Sequence, residues 1–164
     1  MYAAIEQLIN IDYNNRAVDH LYEAGRKLSD KPVIERIAEE ILKVPAGRFV
    51  FLTTGSVTRT WVTPRIAETD GPLGTAALAK RIREITSAVP VIITEASLVT
   101  SISAVTQASG LSVVTVEQAV AALEKRSQGQ TSVACVLPFT ENDGEAAQEA
   151  KELLEKFDPA MVIS

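Results

Sequence analysis

The chain is short of several things that would narrow its chemistry at once. It has one cysteine, Cys135, and one histidine, His20, in 164 residues. A single cysteine excludes an internal disulfide framework, and the two residues together exclude zinc centres built from several cysteines or histidines. Cys135 lies in the apolar run Val133-Ala134-Cys135-Val136-Leu137, where a thiol is expected to be an inert core group. His20 belongs to a helical segment remote in sequence from the loops considered below, and a surface or packing role is expected for it. Positive charge is also scarce: 16 Lys and Arg stand against 21 Asp and Glu, a net charge of −5. That balance disfavours nucleic acid, whose sequence-independent binding rests on neutralised phosphates. No apolar run approaches the ~20 residues that cross a bilayer. The N-terminal stretch lacks the basic and apolar regions of a secretory signal, so no membrane role and a cytoplasmic location are expected. Neither G-x-x-x-x-G-K-[ST] nor G-x-G-x-x-G follows any expected strand, and no nucleotide cofactor is expected.

What is present is ordinary for a globular domain: 46% hydrophobic and 23% charged residues, in a length suited to one domain. The first 44 or so residues are helical in period. Ile5, Leu8 and Ile9 share one face, a second helix is expected between Asn15 and Leu28, and a third through Val33, Ile37, Ile41 and Leu42. Ser29 and Asp30 offer caps to the third, and Pro32 suits its first turn. From about residue 48 to 164, short β-prone runs alternate with amphipathic segments. The runs are Phe49–Leu52, Val89–Ile93, Leu111–Val116, Val133–Leu137 and Met161–Ile163. Helices are expected at about Gly74–Thr86, Ser97–Ser109, Glu117–Arg126 and Gly144–Phe157. Strand-helix alternation with runs apolar on both faces predicts an α/β fold: a mainly parallel sheet of about five strands flanked by helices, preceded by the helical block.

In such a sheet, ligands bind beyond the carboxyl ends of the strands. Thr53-Thr54-Gly55-Ser56 follows the first run, with hydroxyls and a backbone that a ligand can approach closely. A long loop through Arg59, Trp61 and Arg65 comes next; it reads either as a lid over an anionic ligand or as a loop folding its tryptophan onto the body. It ends in Glu68-Thr69-Asp70-Gly71-Pro72-Leu73-Gly74. Glu68 and Asp70 are candidates for general base and acid, and Asp70 with Glu95 for binding a hard divalent cation. The plainer alternative makes Asp70-Gly71 a turn and Asp70 the cap of a helix starting near Gly74 or Thr75. Thr53, Thr54, Gly55, Thr69, Gly71, Gly74 and Thr75 are the expected substrate-binding residues, the helix start offering amides to a carboxylate or phosphate. Glu141 and Asp143, after the fourth run, read equally well as solvated turn residues.

These pieces resemble the D-glutamate cyclase family, in the domain type that forms the C-terminal part of the animal enzyme and stands alone in bacteria and archaea. The resemblance rests on Asn15-Arg16-Ala17-Val18, on Phe51-Leu52-Thr53-Thr54-Gly55, on Val91-Ile92-Ile93-Thr94-Glu95, on Asp158 to Ser164, and above all on Glu68 to Ala79. It implies a lyase of amino-acid metabolism that cyclises D-glutamate to 5-oxo-D-proline with loss of water, Glu68 accepting the ammonium proton and a cation near Asp70 and Glu95 polarising the carboxyl. Mg²⁺ or Mn²⁺ is the implied ion, and the helix start would hold the α-carboxylate. The alternative it leaves open is a divalent-metal-dependent phosphatase, with a phosphorylated metabolite in place of a small anionic amino acid. Two departures stand out. Gly55 is followed by Ser56 where the family pattern has T-G-F, and the pattern continues into an I-E-R-P-G segment beyond the position of Ser164. The resulting expectation is the front part of a longer family domain, either homo-oligomeric, paired with a chain supplying the remainder, or non-catalytic without one.

Overall fold

A computed structural model describes residues 1–12, 16–28, 30–57, 61–63, 66–124 and 132–164. Asn15, Ser29, Arg59, Arg65 and Arg126 therefore lie outside the described residues. The chain forms two compact units, Met1–Lys43 and Val44–Ser164.

The first unit holds α1 (Tyr2–Ile9), α2 (Val18–Arg26) and α3 (Val33–Leu42). Pro32 is the residue before α3 rather than part of its first turn, and it brings no side-chain cap. The uncapped start of α3 is satisfied from another helix. Glu6 of α1, 1% exposed, accepts hydrogen bonds from the Ile34 amide at 2.8 Å and from the Tyr22 hydroxyl at 2.7 Å. One carboxylate thus joins all three helices and removes an orphan N–H that would otherwise cost stability. Burial pushes the Glu6 carboxyl up, but the Tyr22 hydroxyl, the α3 amides and nearby Arg26 together hold it below the usual carboxylate range. The same contact pushes the Tyr22 hydroxyl above its ordinary value. His20 is exposed on α2.

The second unit is an α/β layer: β1 (Phe49–Thr53), α4 (Asp70–Thr86), β2 (Val89–Glu95), α5 (Val99–Ala108), β3 (Ser112–Val113), α6 (Val116–Glu124), β4 (Val133–Phe139), α7 (Asp143–Phe157) and β5 (Met161–Ile163). All strand pairs are parallel, in the order β3-β4-β2-β1-β5. The register sets Phe51 beside Val91, and Val91 beside Cys135, so these residues share one face. That face carries a cluster that Ala119 of α6 and Leu153 and Phe157 of α7 complete. Phe157 meets Phe49 and Phe51 edge to face, with ring centroids at 5.2 and 5.5 Å. Residues of the opposite face, Val50, Leu52 and Ile92, are buried together with Ala79 and Ile82 of α4 and Ile102 of α5. Pro90 lies in a central strand without harm because Val89 already donates to Arg48 on the β1 side, and the β2–β4 register begins only at Val91. Cys135 is fully buried, and burial pushes its thiol up to about 11. Among the described residues, no helix is long and apolar enough to cross a membrane.

The side of the sheet on which each helix lies follows from strand order and handedness. Moving from β1 to β2 and on past β4 to β3 runs one way across the sheet, and the return to β4 and β5 runs the other. With right-handed crossovers this puts α4 and α5 on one face and α6 and α7 on the other, as observed. The loops after β2 and β4 therefore leave for opposite faces, and a crevice opens between neighbouring strand ends.

Candidate functional site

The crevice is an open cleft of about 1160 Å³ within the second unit. Its floor is the strand-end loop Thr53-Thr54-Gly55-Ser56, with Glu95 at the end of β2. Gly71 and Thr75 bring the start of α4 to one wall. The other wall comes from β4 and α7, through Phe139, Thr140 and Leu153.

Glu95 organises the floor. One carboxylate oxygen accepts the Ser56 amide at 2.9 Å, and the other accepts the Thr94 hydroxyl at 3.3 Å. Gly55 makes this approach possible: a Cβ there would lie 1.8 Å from Glu95 Oε2, and the backbone φ of +151° is one that side chains with a Cβ rarely adopt. Ser56, the next residue, is itself left-handed at φ 66°. The loop is thus bent twice around a carboxylate that stays in the cleft. A matching clasp holds the far wall, where Glu149 of α7 accepts the Thr140 amide at 2.8 Å.

The start of α4 differs from the sequence expectation. The helix begins at Asp70, with Thr69 before it, rather than near Gly74 or Thr75. Asp70 is its first residue and caps nothing with its side chain. Pro72 fits at the third position because the first turn has no internal acceptor for its missing N–H. The first amides of α4 remain without a side-chain cap, in contrast to α7, where Asn142 Oδ1 accepts the Gly144 amide at 3.0 Å. Among the described residues the buried Thr54 hydroxyl has no hydrogen-bond partner, and a Cβ on Gly71 would stand 3.1 Å from it. A donor or acceptor in the cleft is what such a hydroxyl calls for.

Of the expected site residues, Thr53, Thr54, Gly55, Gly71, Thr75 and Glu95 are brought together, whereas Glu68, Thr69, Asp70 and Gly74 do not line the cleft. Glu68 and Asp70 are exposed, and the Glu68 amide instead donates to Ser56 O, beside a Val57–Ala67 bridge that closes the base of the long loop. Trp61 is 82% exposed, so it is not folded onto the body. Among the described residues no group of three or more His, Cys, Asp or Glu side chains is placed to hold a metal ion. Asp70 and Glu95 do not form one by themselves, and no step below is routed through a cation. Glu141 and Asp143 do line the cleft. Thr140 and Leu153 are among the lining residues to which the sequence assigned no role; position directly after a strand marks Thr140, whereas Leu153 reads only as part of a helix face.

Residues 5–160 match the model of a family described as D-glutamate cyclase-like, C-terminal. Searches of curated proteins and of solved structures returned no match.

Proposed function

Because the chain belongs to the D-glutamate cyclase-like, C-terminal family, we propose that its cleft cyclises D-glutamate to 5-oxo-D-proline with loss of water. The observation that carries this reading is the placement of one held carboxylate, Glu95, in the same cleft as an uncapped helix start and an unpartnered hydroxyl.

Cyclisation joins the α-nitrogen to the carbon of the γ-carboxyl group and breaks one of that carbon's bonds to oxygen. Two protons leave the nitrogen, and both end on the departing oxygen as water. A carboxylate that accepts a proton and passes it on satisfies that balance, and Glu95 is the group assigned to it. Its hydrogen bonds from Ser56 and Thr94 fix the carboxylate before substrate arrives, so orientation is set in advance. The tetrahedral intermediate places negative charge on the γ-oxygen. The first amides of α4 and the Thr54 hydroxyl are donors for that oxygen, where stabilisation lowers the barrier most. The γ-carboxyl rather than the α-carboxylate is therefore given the helix start. Glu68 and Asp70 stand outside the lining and are given no step.

The test is product formation from D-glutamate by the purified chain, followed as loss of 18 Da by mass spectrometry. Glu95→Gln should lower kcat by about 10²–10⁴-fold with the far-ultraviolet spectrum unchanged. Turnover retained in that variant, or no turnover by the parent chain, overturns the assignment.

A further inference from the structure

The cleft is larger and more apolar than free D-glutamate alone would fill. Pockets of ~300–1,000 Å³ enclose drug-sized ligands, and this one measures about 1160 Å³, whereas D-glutamate has only ten non-hydrogen atoms. The polar groups gather at the strand ends. Beyond them the cleft continues between α7 and the sheet, over Phe51, Ile93 and Phe139 on one side and Ala146, Ala150 and Leu153 on the other. The last three recur at i, i+4 and i+7, one face of the helix. Ala146 and Ala150 leave open the end of α7 nearer the strand-end loops, while Leu153 and Phe157 close the far end onto the core.

Charge points the same way. Glu95, Glu141 and Asp143 line the cleft, and none of its described lining residues is Lys or Arg. The ammonium of D-glutamate is well served, and the γ-carboxyl has the helix start. Among the described lining residues a free α-carboxylate would stand beside carboxylates and meet no cation, at a cost that grows as water is displaced. An amide at that position is neutral, and its substituent would extend along the apolar wall.

Resting on the cyclase reading, we propose that the preferred substrate is an N-terminal D-glutamyl residue whose α-carboxyl is joined in amide linkage to an apolar group. The reaction is unchanged: the α-nitrogen bonds to the γ-carboxyl carbon, one carbon–oxygen bond of that carboxyl breaks, and water leaves carrying two of the three ammonium protons. The α-amide bond stays intact.

Three compounds test this with the full chain: D-glutamate, D-glutamyl-glycinamide and D-glutamyl-phenylalaninamide, each corrected for uncatalysed cyclisation. The expected order of kcat/KM rises from D-glutamate to the glycinamide to the phenylalaninamide, with at least tenfold between the first and last. Ala150→Trp should bring that ratio down towards that of the glycinamide by filling the apolar wall. Cyclisation of an amide without cyclisation of free D-glutamate would overturn free D-glutamate as the substrate and support the amide in its place. Turnover of D-glutamate with both amides poorer than it overturns the proposal and leaves the cyclase reading intact. Turnover of none of the three overturns both.

Discussion

Replacing Gly55 by alanine puts the site's central contact under direct stress. The new methyl carbon would lie 1.8 Å from Glu95 Oε2 and 2.7 Å from its Cδ, so the carboxylate has to leave. It can do so, because it is the far end of a flexible side chain rather than backbone. The cost then has two parts. Holding a residue with a Cβ at φ +151° costs about 1–3 kcal/mol. Losing the hydrogen bond from Ser56 to a half-exposed carboxylate adds roughly 1 kcal/mol, below the range for fully buried charged partners. The sum, about 2–4 kcal/mol, lowers Tm by roughly 5–12 °C for a chain of this length. Activity should suffer more than stability: with Glu95 displaced, D-glutamate turnover should fall about a hundredfold or further, the scale of a lost general base. A double-mutant cycle separates clash from backbone strain. In a Glu95→Ala background the methyl meets no carboxylate, so the stability loss from Gly55→Ala should shrink by about 1 kcal/mol. Thermal unfolding of the four proteins measures this directly. Equal losses in both backgrounds would refute the idea that Gly55 exists to admit Glu95.

Two further outcomes follow from buried groups. Glu6 has its pKa lowered in the fold, so its contribution to stability is fully present above the ordinary carboxylate range and is lost as pH falls through the folded value. The Tyr22 hydroxyl, raised by the same contact, should ionise above the ordinary tyrosine range when absorbance near 295 nm is followed with rising pH. Glu6→Gln should flatten the acid limb of stability and return Tyr22 to the ordinary range; an unchanged tyrosine titration would deny the contact. Cys135, fully buried and pushed up to about 11, should have only about one part in a thousand of thiolate at pH 8. Thiol reagents should therefore label the native chain slowly and the unfolded chain at once, and rapid native labelling would contradict a core position.

The sheet was legible because its strands are apolar on both faces, and a covered parallel strand has no other way to be written in sequence. Phe49, Val89, Val133 and Met161 each begin a strand where the run of β-prone residues begins. The start of α4 was misplaced for a physical reason: Asp70-Gly71-Pro72 has the composition of a turn, yet a first helical turn tolerates all three. That shift moves Asp70 from a strand-end loop onto an exposed helix end, and it takes the expected acid–base pair out of the cleft. Glu95 was easier to find, since the last residue of a strand must stand at the sheet's carboxyl edge. The clasp of Thr140 by Glu149 could not be read, because nothing in sequence says which residue of a helix turns back to which amide. Strand order was equally hidden, although once it is known handedness explains which face each helix takes.

The bridge between Val57 and Ala67, with Glu68 donating to Ser56, has a consequence for how the chain can vary. It fixes the two ends of the long loop to each other at the rim of the cleft, where Ser56 and Val57 lie. The cost of closing a longer loop grows only with the logarithm of its length. That excursion is the place where length and composition can change while Ser56, Glu95 and the start of α4 keep their mutual geometry.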